Sequence, residues 1–319
     1  MDAAQAVTAA LPHLKPELCL GAGVMAVLLG ELFLSPKEKP ALGWMAAAFA
    51  LLGAILAVRA PAPGPGGSPL LFADGVGPWL KVLFCLSTLG VILLTLRSRE
   101  VARMPAGETY AFLLAAALGC CLLGAARNLL MLYLAMEIVS YSSYLLAGFL
   151  RPDLRSNEAA LKYVLYGAVA SGAMLFGISL LYGMGKSLDL VQLSLALADG
   201  RMAFSLMVPF ALILVGLGFK VSAAPFHKWA PDVYEGAPTP VAAFLSVAPK
   251  AAGLAALARL VYLGLSTPPA AGYAPDAQGS LAVALNWPAV LGVLSALTMP
   301  TGNLCALFQT NVKRMLAYS

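Results

Sequence analysis

The sequence predicts an all-α integral membrane protein, a multi-helix bundle, and three observations carry that prediction. Of the 319 residues, 61% are hydrophobic and only 11% charged, with a mean hydropathy of +0.85; a soluble domain carries about 25% charged residues. The apolar runs reach the ~20 residues that a helix needs to cross the hydrocarbon of a bilayer. Nothing alternates with the period of a barrel strand.

Taken in order, the runs place membrane spans at Glu17–Ser35, Ala41–Arg59, Gly77–Leu96, Glu108–Gly124, Asn128–Leu150, Asn157–Gly183, Met202–Ala224, Pro240–Gly264 and Ala282–Leu307. Short loops rich in Gly, Pro and charge separate them. Ala60–Ser68 (APAPGPGGS) reads as an uncharged non-helical connector, and Leu188–Asp199 as an amphipathic surface helix. The chain stops after Lys313-Arg314, inside the first turn or two of a tenth helix, which is expected of a fragment of something longer.

Composition excludes several classes. The net charge of +5 comes from basic residues dispersed at helix ends, so it does not point to nucleic acid. Cys19, Cys85, Cys120, Cys121 and Cys305 form no C-x-x-C and read as small lipid- or core-facing residues. Two histidines, His13 and His227, argue against haem or a histidine-rich metal site. There is no G-x-G-x-x-G, no P-loop, no soluble domain large enough for a nucleotide fold, and no signal-peptide pattern.

Loop charges assign an orientation. Lys37, Lys39, Arg97, Arg99, Arg103, Arg151, Arg155, Lys228, Lys313 and Arg314 fall on one side; Arg59, Arg127, Lys186, Arg201 and Arg259 fall on the other. Ten against five makes the first side cytoplasmic and the N-terminus periplasmic, in a multi-pass protein of a bacterial inner membrane.

Ionisable residues inside the apolar runs carry the chemistry. A charge at the bilayer centre costs about 2.5–3.5 kcal/mol even on the lenient insertion scale. Glu137 lies mid-span within LLMLYLAMEIVSYSSYLL. It either binds two helices together by hydrogen bonds or acts as a switch whose protonation follows its partner. Lys220 closes the run PFALILVGLGFK. Pro225 lacks an N–H, so the carbonyl of Val221 loses its helical partner and the helix is expected to break there. Broken membrane helices are tolerated where they line a cavity or wet path. A lysine beside freed carbonyls can exchange a proton, although snorkelling to the interface is the other reading. Pro249-Lys250 repeats the device about ten residues from either end of its span, where snorkelling is harder. His227, seven residues past Lys220, could bridge the two lysines through water or serve structure alone. Glu158 and Lys162 read as an i, i+4 helix-end pair, Lys313 and Arg314 as an interfacial anchor, and Asp232 and Glu235 as turn and cap residues.

The run GFKVSAAPFHKWAPDVYEGAPTPV, the SVAPK lysine and the closing GNLCALFQTNVKRMLAYS resemble the antiporter-like, proton-translocating membrane subunits of respiratory complex I. The resemblance covers Glu108 to Ser319; the first three spans match only as generic hydrophobic helices. It implies inverted five-helix repeats, each with a broken helix. The chain then divides into three N-terminal helices (1–104), a first proton-channel repeat (105–265) and the start of a second, incomplete repeat (266–319). It further implies that Glu137 is the family's fifth-helix glutamate, Lys220 its partner on the broken helix, Lys250 the central-axis lysine and His227 the histidine lying between the lysines. Lys228 stands where the family pattern usually has an apolar residue.

On this resemblance the chain translocates protons as a membrane-arm subunit of an NADH–quinone oxidoreductase. It holds no cofactor of its own; FMN, iron–sulfur clusters, NADH and quinone belong to partner subunits. The expected partners are other membrane-arm subunits and the lipid bilayer, with no nucleic acid. Two other readings stand beside it: a cation/proton antiporter of the same ancestry, and a structural anchor whose buried charges only fix packing.

Overall fold

A computed structural model describes residues 11–35, 38–61, 70–98, 100, 104–197, 203–265 and 286–319. Among the described residues a 3-10 turn, Leu11–His13, leads into twelve α-helices. They are α1 (Lys15–Phe33), α2 (Pro40–Val58), α3 (Gly77–Arg97), α4 (Ala106–Ala125), α5 (Leu129–Ala147), α6 (Leu154–Gly185), α7 (Leu190–Ala196), α8 (Ala203–Val221), α9 (Trp229–Gly236), α10 (Thr239–Arg259), α11 (Trp287–Leu307) and α12 (Val312–Tyr318). A π-helical turn, Leu260–Gly264, extends α10. Among the described residues, nine helices are long and apolar enough to cross a membrane.

The helices start where local chemistry permits. Proline sits in the first two positions of α1, α2, α3, α10 and α11, where a missing N–H costs nothing. At α5, α6, α7 and α12 the N-cap side-chain oxygen closes the first turn. Asn128 accepts from Leu130 N at 2.8 Å, Asp153 from Arg155 N at 2.9 Å, Asp189 from Val191 N at 3.0 Å and Asn311 from Lys313 N at 2.9 Å. At 32 residues, α6 is about 48 Å long and exceeds the ~30 Å hydrocarbon thickness.

α4 sits at the centre, packed against α1, α3, α5 and α10, and its small residues let the neighbours close in. A Cβ on Gly119 would lie 3.0 Å from the backbone nitrogen of Val139 on α5; without it the two backbones pack directly. Lipid contributes no hydrophobic drive between helices, so such close packing and polar ties hold the bundle together.

Three connectors are tied side by side at one end. The segment between α4 and α5 pairs with the strand-like stretch before α3 (Phe72 N to Ala125 O, 2.8 Å; Arg127 N to Leu70 O, 2.9 Å). On its other side it pairs with the entry to α7 (Leu129 N to Leu188 O, 2.8 Å; Leu190 N to Arg127 O, 3.0 Å). Arg127 Nε meets Asp189 at 2.6 Å, and Arg259 donates to Asp74 at 2.7 Å and to Gly124 O at 2.6 Å.

These ties correct the sequence reading in one place. Arg259 is no loop cation: it is buried at the end of α10, so it does not belong among the freely placed charges that set orientation. The amphipathic stretch does form a short surface helix, α7: Leu190 and Leu193 are fully buried against the π turn, while Gln192 and Leu195 on its other face are exposed. Lys37, Arg99, Arg103, Arg201, most of the Pro/Gly connector (62–68) and residues 198–199 and 282–285 lie outside the described residues.

The first three spans carry their own polar ties. Glu17 on α1 and Lys81 on α3, both buried, form a charge pair at 2.7 Å, and Lys81 also donates to His13 O at 2.9 Å. Glu31 pairs with Lys39 and accepts from Gly107 N at 2.9 Å, which joins the adjoining ends of α1, α2 and α4.

Candidate functional site

The site forms where α8 stops. Its last turn carries Lys220, after which Ser222 takes a left-handed backbone (φ 61°) and the chain turns into the short α9. The break expected from Pro225 is therefore present, three residues earlier than the end of the span placed at Ala224. The carbonyls that it frees do not stay open. Phe219 O accepts from Trp229 Nε1 at 3.0 Å and from Ser222 N at 3.1 Å, and Gly218 O from Ala223 N at 2.9 Å. Trp229 also stacks on the buried Tyr163 of α6, with centroids 4.3 Å apart and planes 9° apart, and leans on Phe219 at 5.1 Å. The indole thus splints the two halves of the broken helix.

Lys220 is 2% exposed. Its ammonium donates to Ser140 Oγ on α5 at 3.1 Å. Its stem lies against Gly253 on α10, where a Cβ would stand 3.2 Å from Cγ of the lysine; glycine leaves the room that the side chain occupies. Glu137 is on the same face of α5, one turn before Ser140, and is half-buried, with Ser171 of α6 hydrogen-bonded to its Oε1. The Glu137 and Lys220 charges lie close enough to interact but form no ion pair. Ser140 and Ser171 supply the hydrogen bonds that a direct pair would have supplied.

Lys250 follows Pro249 without breaking α10. Its ammonium stands over the ring of Tyr234 on α9, 5.2 Å from the centroid, and Gly253, one turn on, is the residue against which Lys220 packs. Lys220 on α8 thus meets Ser140 of α5 and Gly253 of α10, while the Lys250 ammonium, also on α10, faces Tyr234. His227 is placed differently: no hydrogen bond joins it to either lysine. Its ring meets Tyr318 of α12 edge-on at 6.1 Å, and its Nδ1 is buried without a protein partner.

A second polar cluster, beside α9, went unread in the sequence. Asp232 accepts from Lys162 at 2.6 Å and Arg314 at 2.7 Å. Glu235 accepts from Arg314 at 2.9 Å and from Asn311 at 3.1 Å, with Arg155 at 3.7 Å, and Lys162 also reaches Glu158 at 2.7 Å. Lys313 donates to Ala237 O at 3.0 Å. Asp232 and Glu235 are thus not turn and cap residues. They sit inside α9 and fasten it to α6 and α12, and Arg314 is a clasp before it is an interfacial anchor. Only the Glu158–Lys162 pair was visible as an i, i+4 spacing; the remaining partners are far apart in the chain. Among the described residues no group of three His, Cys, Asp or Glu could hold a metal ion.

A membrane bundle with a splinted helix break and a buried lysine–carboxylate face is the architecture of a known class. The family model described as "NADH:quinone oxidoreductase/Mrp antiporter, TM" matches residues 126–319, and the chain belongs to that family. Within it, the chain is 39% identical over 319 residues to the NADH-quinone oxidoreductase subunit N of Anaeromyxobacter sp., covering 96% of this chain and 61% of that protein. It is 41% identical over 327 residues to NADH-quinone oxidoreductase subunit N 2 of Sorangium cellulosum, covering 98% of this chain and 63% of that one. Among solved structures it resembles a chain of respiratory complex I from Thermus thermophilus with bound aureothin, at 33% identity and a TM-score of 0.71, over 95% of this chain and 61% of the other. The chain therefore spans about six-tenths of the length of these relatives. The likeness also takes in the first three spans, which the sequence motifs alone had left generic.

Proposed function

We propose that the chain works as part of a proton-translocating membrane-arm subunit of an NADH–quinone oxidoreductase, of the subunit-N type. Protons would pass through Glu137, Lys220, His227 and Lys250. The observation that carries this reading is Lys220: an ammonium 2% exposed at a helix break, held by one neutral hydroxyl with Glu137 within electrostatic reach. A buried charge normally requires a paired and hydrogen-bonded partner. Here the partner stands one step away, which leaves the lysine free to gain or lose it.

Each movement between Glu137 and Ser140 would change the field at Lys220 and so its hold on a proton. Lys250, over the Tyr234 ring and on the same helix as Gly253, would be the next acceptor. Moving one charge against the membrane potential costs about 2.3 kcal/mol per 100 mV. The drive must then come from redox chemistry in partner subunits, where FMN, iron–sulfur clusters, NADH and quinone would reside. In this reading residues 105–265 are a first inverted five-helix repeat, 266–319 begin a second, and the N-terminus is periplasmic in a bacterial inner membrane.

Lys220→Met in the full-length subunit of the intact complex tests it. Proton translocation in membrane vesicles should fall to a small fraction of the parent's while the complex remains assembled; parent-level translocation would refute the role of the lysine. The antiporter reading is separated by co-purification: flavin and iron–sulfur partners mark the oxidoreductase, and membrane subunits alone mark the antiporter.

A further inference from the structure

A cavity of about 210 Å³ opens where the start of α6 meets α9 and α12, and its charged lining is Arg155 and Glu158 of α6, Asp232 and Glu235 of α9, and Arg314 of α12. One water needs about 10–15 Å³ of such space, so this volume takes a small polar molecule or a headgroup. On the inner wall the charges are paired with one another: Arg314 holds both acids, and Lys162 also meets Asp232. The outer wall is left open. The Arg155 side chain is 76% exposed and meets Glu235 only at 3.7 Å, beyond hydrogen-bond length. Glu158 is 62% exposed and turns one oxygen to Lys162; its other oxygen has no partner among the described residues.

The length of α6 sets the depth of that mouth. Its 32 residues make about 48 Å, more than the ~40–45 Å of a bilayer with both headgroup layers. The first turns, which carry Arg155 and Glu158, therefore stand at headgroup level. Leu154, Leu161 and Leu165 are all exposed and lie four residues before, three after and seven after Glu158, on the same face of the helix. A lipid chain laid along those leucines ends at the cavity mouth.

We propose that this cavity binds the headgroup of an ethanolamine phospholipid, with the phosphate against Arg155 and the ammonium against Glu158. The charges select the class. A purely anionic headgroup would meet three carboxylates beside two guanidinium groups, and like charges repel. A choline headgroup has no N–H for Glu158, whereas a primary ammonium gives a charge-assisted hydrogen bond. The planar fork of arginine matches phosphate. Both ends of a zwitterion thus find an open partner, and neither disturbs the pairs that fasten α9 to α6 and α12.

The test uses the full-length protein in its assembled complex, delipidated and supplied with a photoactivatable phosphatidylethanolamine. Labelling of the α6 and α9 peptides is read by mass spectrometry. Unlabelled phosphatidylethanolamine should compete at least fivefold better than phosphatidylcholine or phosphatidylglycerol, and Arg155→Gln with Glu158→Gln should cut labelling there at least fivefold. Equal competition by phosphatidylcholine would mean unselective lipid contact and overturn the site. Stronger competition by phosphatidylglycerol would make it an anion site and overturn the zwitterion. Soluble phosphoethanolamine competing as well as the lipid would overturn the membrane source, and parent labelling in the double variant would overturn the two residues' role. Both side chains are exposed, so the complex should assemble; if it does not, the order of competition in the parent decides.

Discussion

Lys220 gives its hydrogen bond to Ser140, 3.1 Å away, and not to Glu137 one turn earlier on the same helix. Serine therefore stands where the ion pair would otherwise close. A neutral hydroxyl stabilises a buried ammonium without trapping it, because a hydrogen bond to a charged group is worth about 1.5–3 kcal/mol and a fully desolvated pair considerably more when broken.

Ser140→Ala removes that alternative. The lysine is then left either to close a trapping ion pair with Glu137 or to lose the Ser140 hydrogen bond, the latter costing about 1–3 kcal/mol. Proton translocation should slow about tenfold or more, while Ser140→Thr, which keeps the hydroxyl, should retain most of the rate. Vesicle acidification with both variants checks this; equal rates for alanine and threonine would show that the bond is idle.

The Glu17–Lys81 pair calls for a mutant cycle. Its contact at 2.7 Å is poorly aligned for hydrogen bonding, since both carboxylate oxygens lack a hydrogen-bond partner, so Coulomb attraction holds it. Lys81→Met strands a buried carboxylate and should cost about 3–5 kcal/mol. Glu17→Gln with Lys81→Met should recover most of that loss. Denaturation of the detergent-solubilised protein would show it, and additive losses in the double variant would mean that the residues act separately.

What could be read in the sequence follows from how local the signals are. Continuous apolar runs mark spans whatever their neighbours, so the span placed at Ala41 begins at Pro40, and the one placed at Leu96 ends at Arg97. The break after Lys220 was legible because Pro225 acts on its own backbone. Lys81 was not legible as a buried charge: five residues into α3 it looks like a cation at a helix end, and only folding brings Glu17 beside it. The same holds for Asp232 and Arg314, 82 residues apart, and for Arg259, whose partners Asp74 and Gly124 come from other helices' ends. The direction of His227 was also beyond reach, because α12 decides it from outside the broken helix.

Asp74 predicts an acid limit to stability. Burial opposes its ionisation, but the hydrogen bond and charge of Arg259, with backbone N–H donors from Gly77 and Val76, outweigh burial and hold the carboxyl below its usual value of 3.8. A carboxyl depressed on folding contributes stability that is complete above its unfolded value and is lost as pH falls through the folded one. The clasp at that end of the bundle should therefore hold above about pH 5 and fail progressively below pH 4. Asp74→Asn should be less stable at neutral pH and flatter in its acid response. Melting temperatures at pH 3.5 to 7 would check this, and parallel curves for the two proteins would exclude it.

Arg314 is the last link, because it decides whether α12 stays over the break. Its Nη1 meets Asp232 at 2.7 Å and Glu235 at 2.9 Å while Nε donates to Gln309 at 3.1 Å. One planar group thus holds two acids of α9 and the turn before α12. The side chains are partly exposed, so each pair alone is worth about 0–1 kcal/mol, and the network matters through geometry more than through energy. Arg314→Ala should leave the bundle folded but free α12, lifting Tyr318 from His227 and slowing translocation more than it lowers the melting temperature. Arg314→Lys keeps the charge without the fork and should fall between alanine and the parent. If lysine matches the parent in translocation, charge alone suffices and the planar clasp has no positioning role.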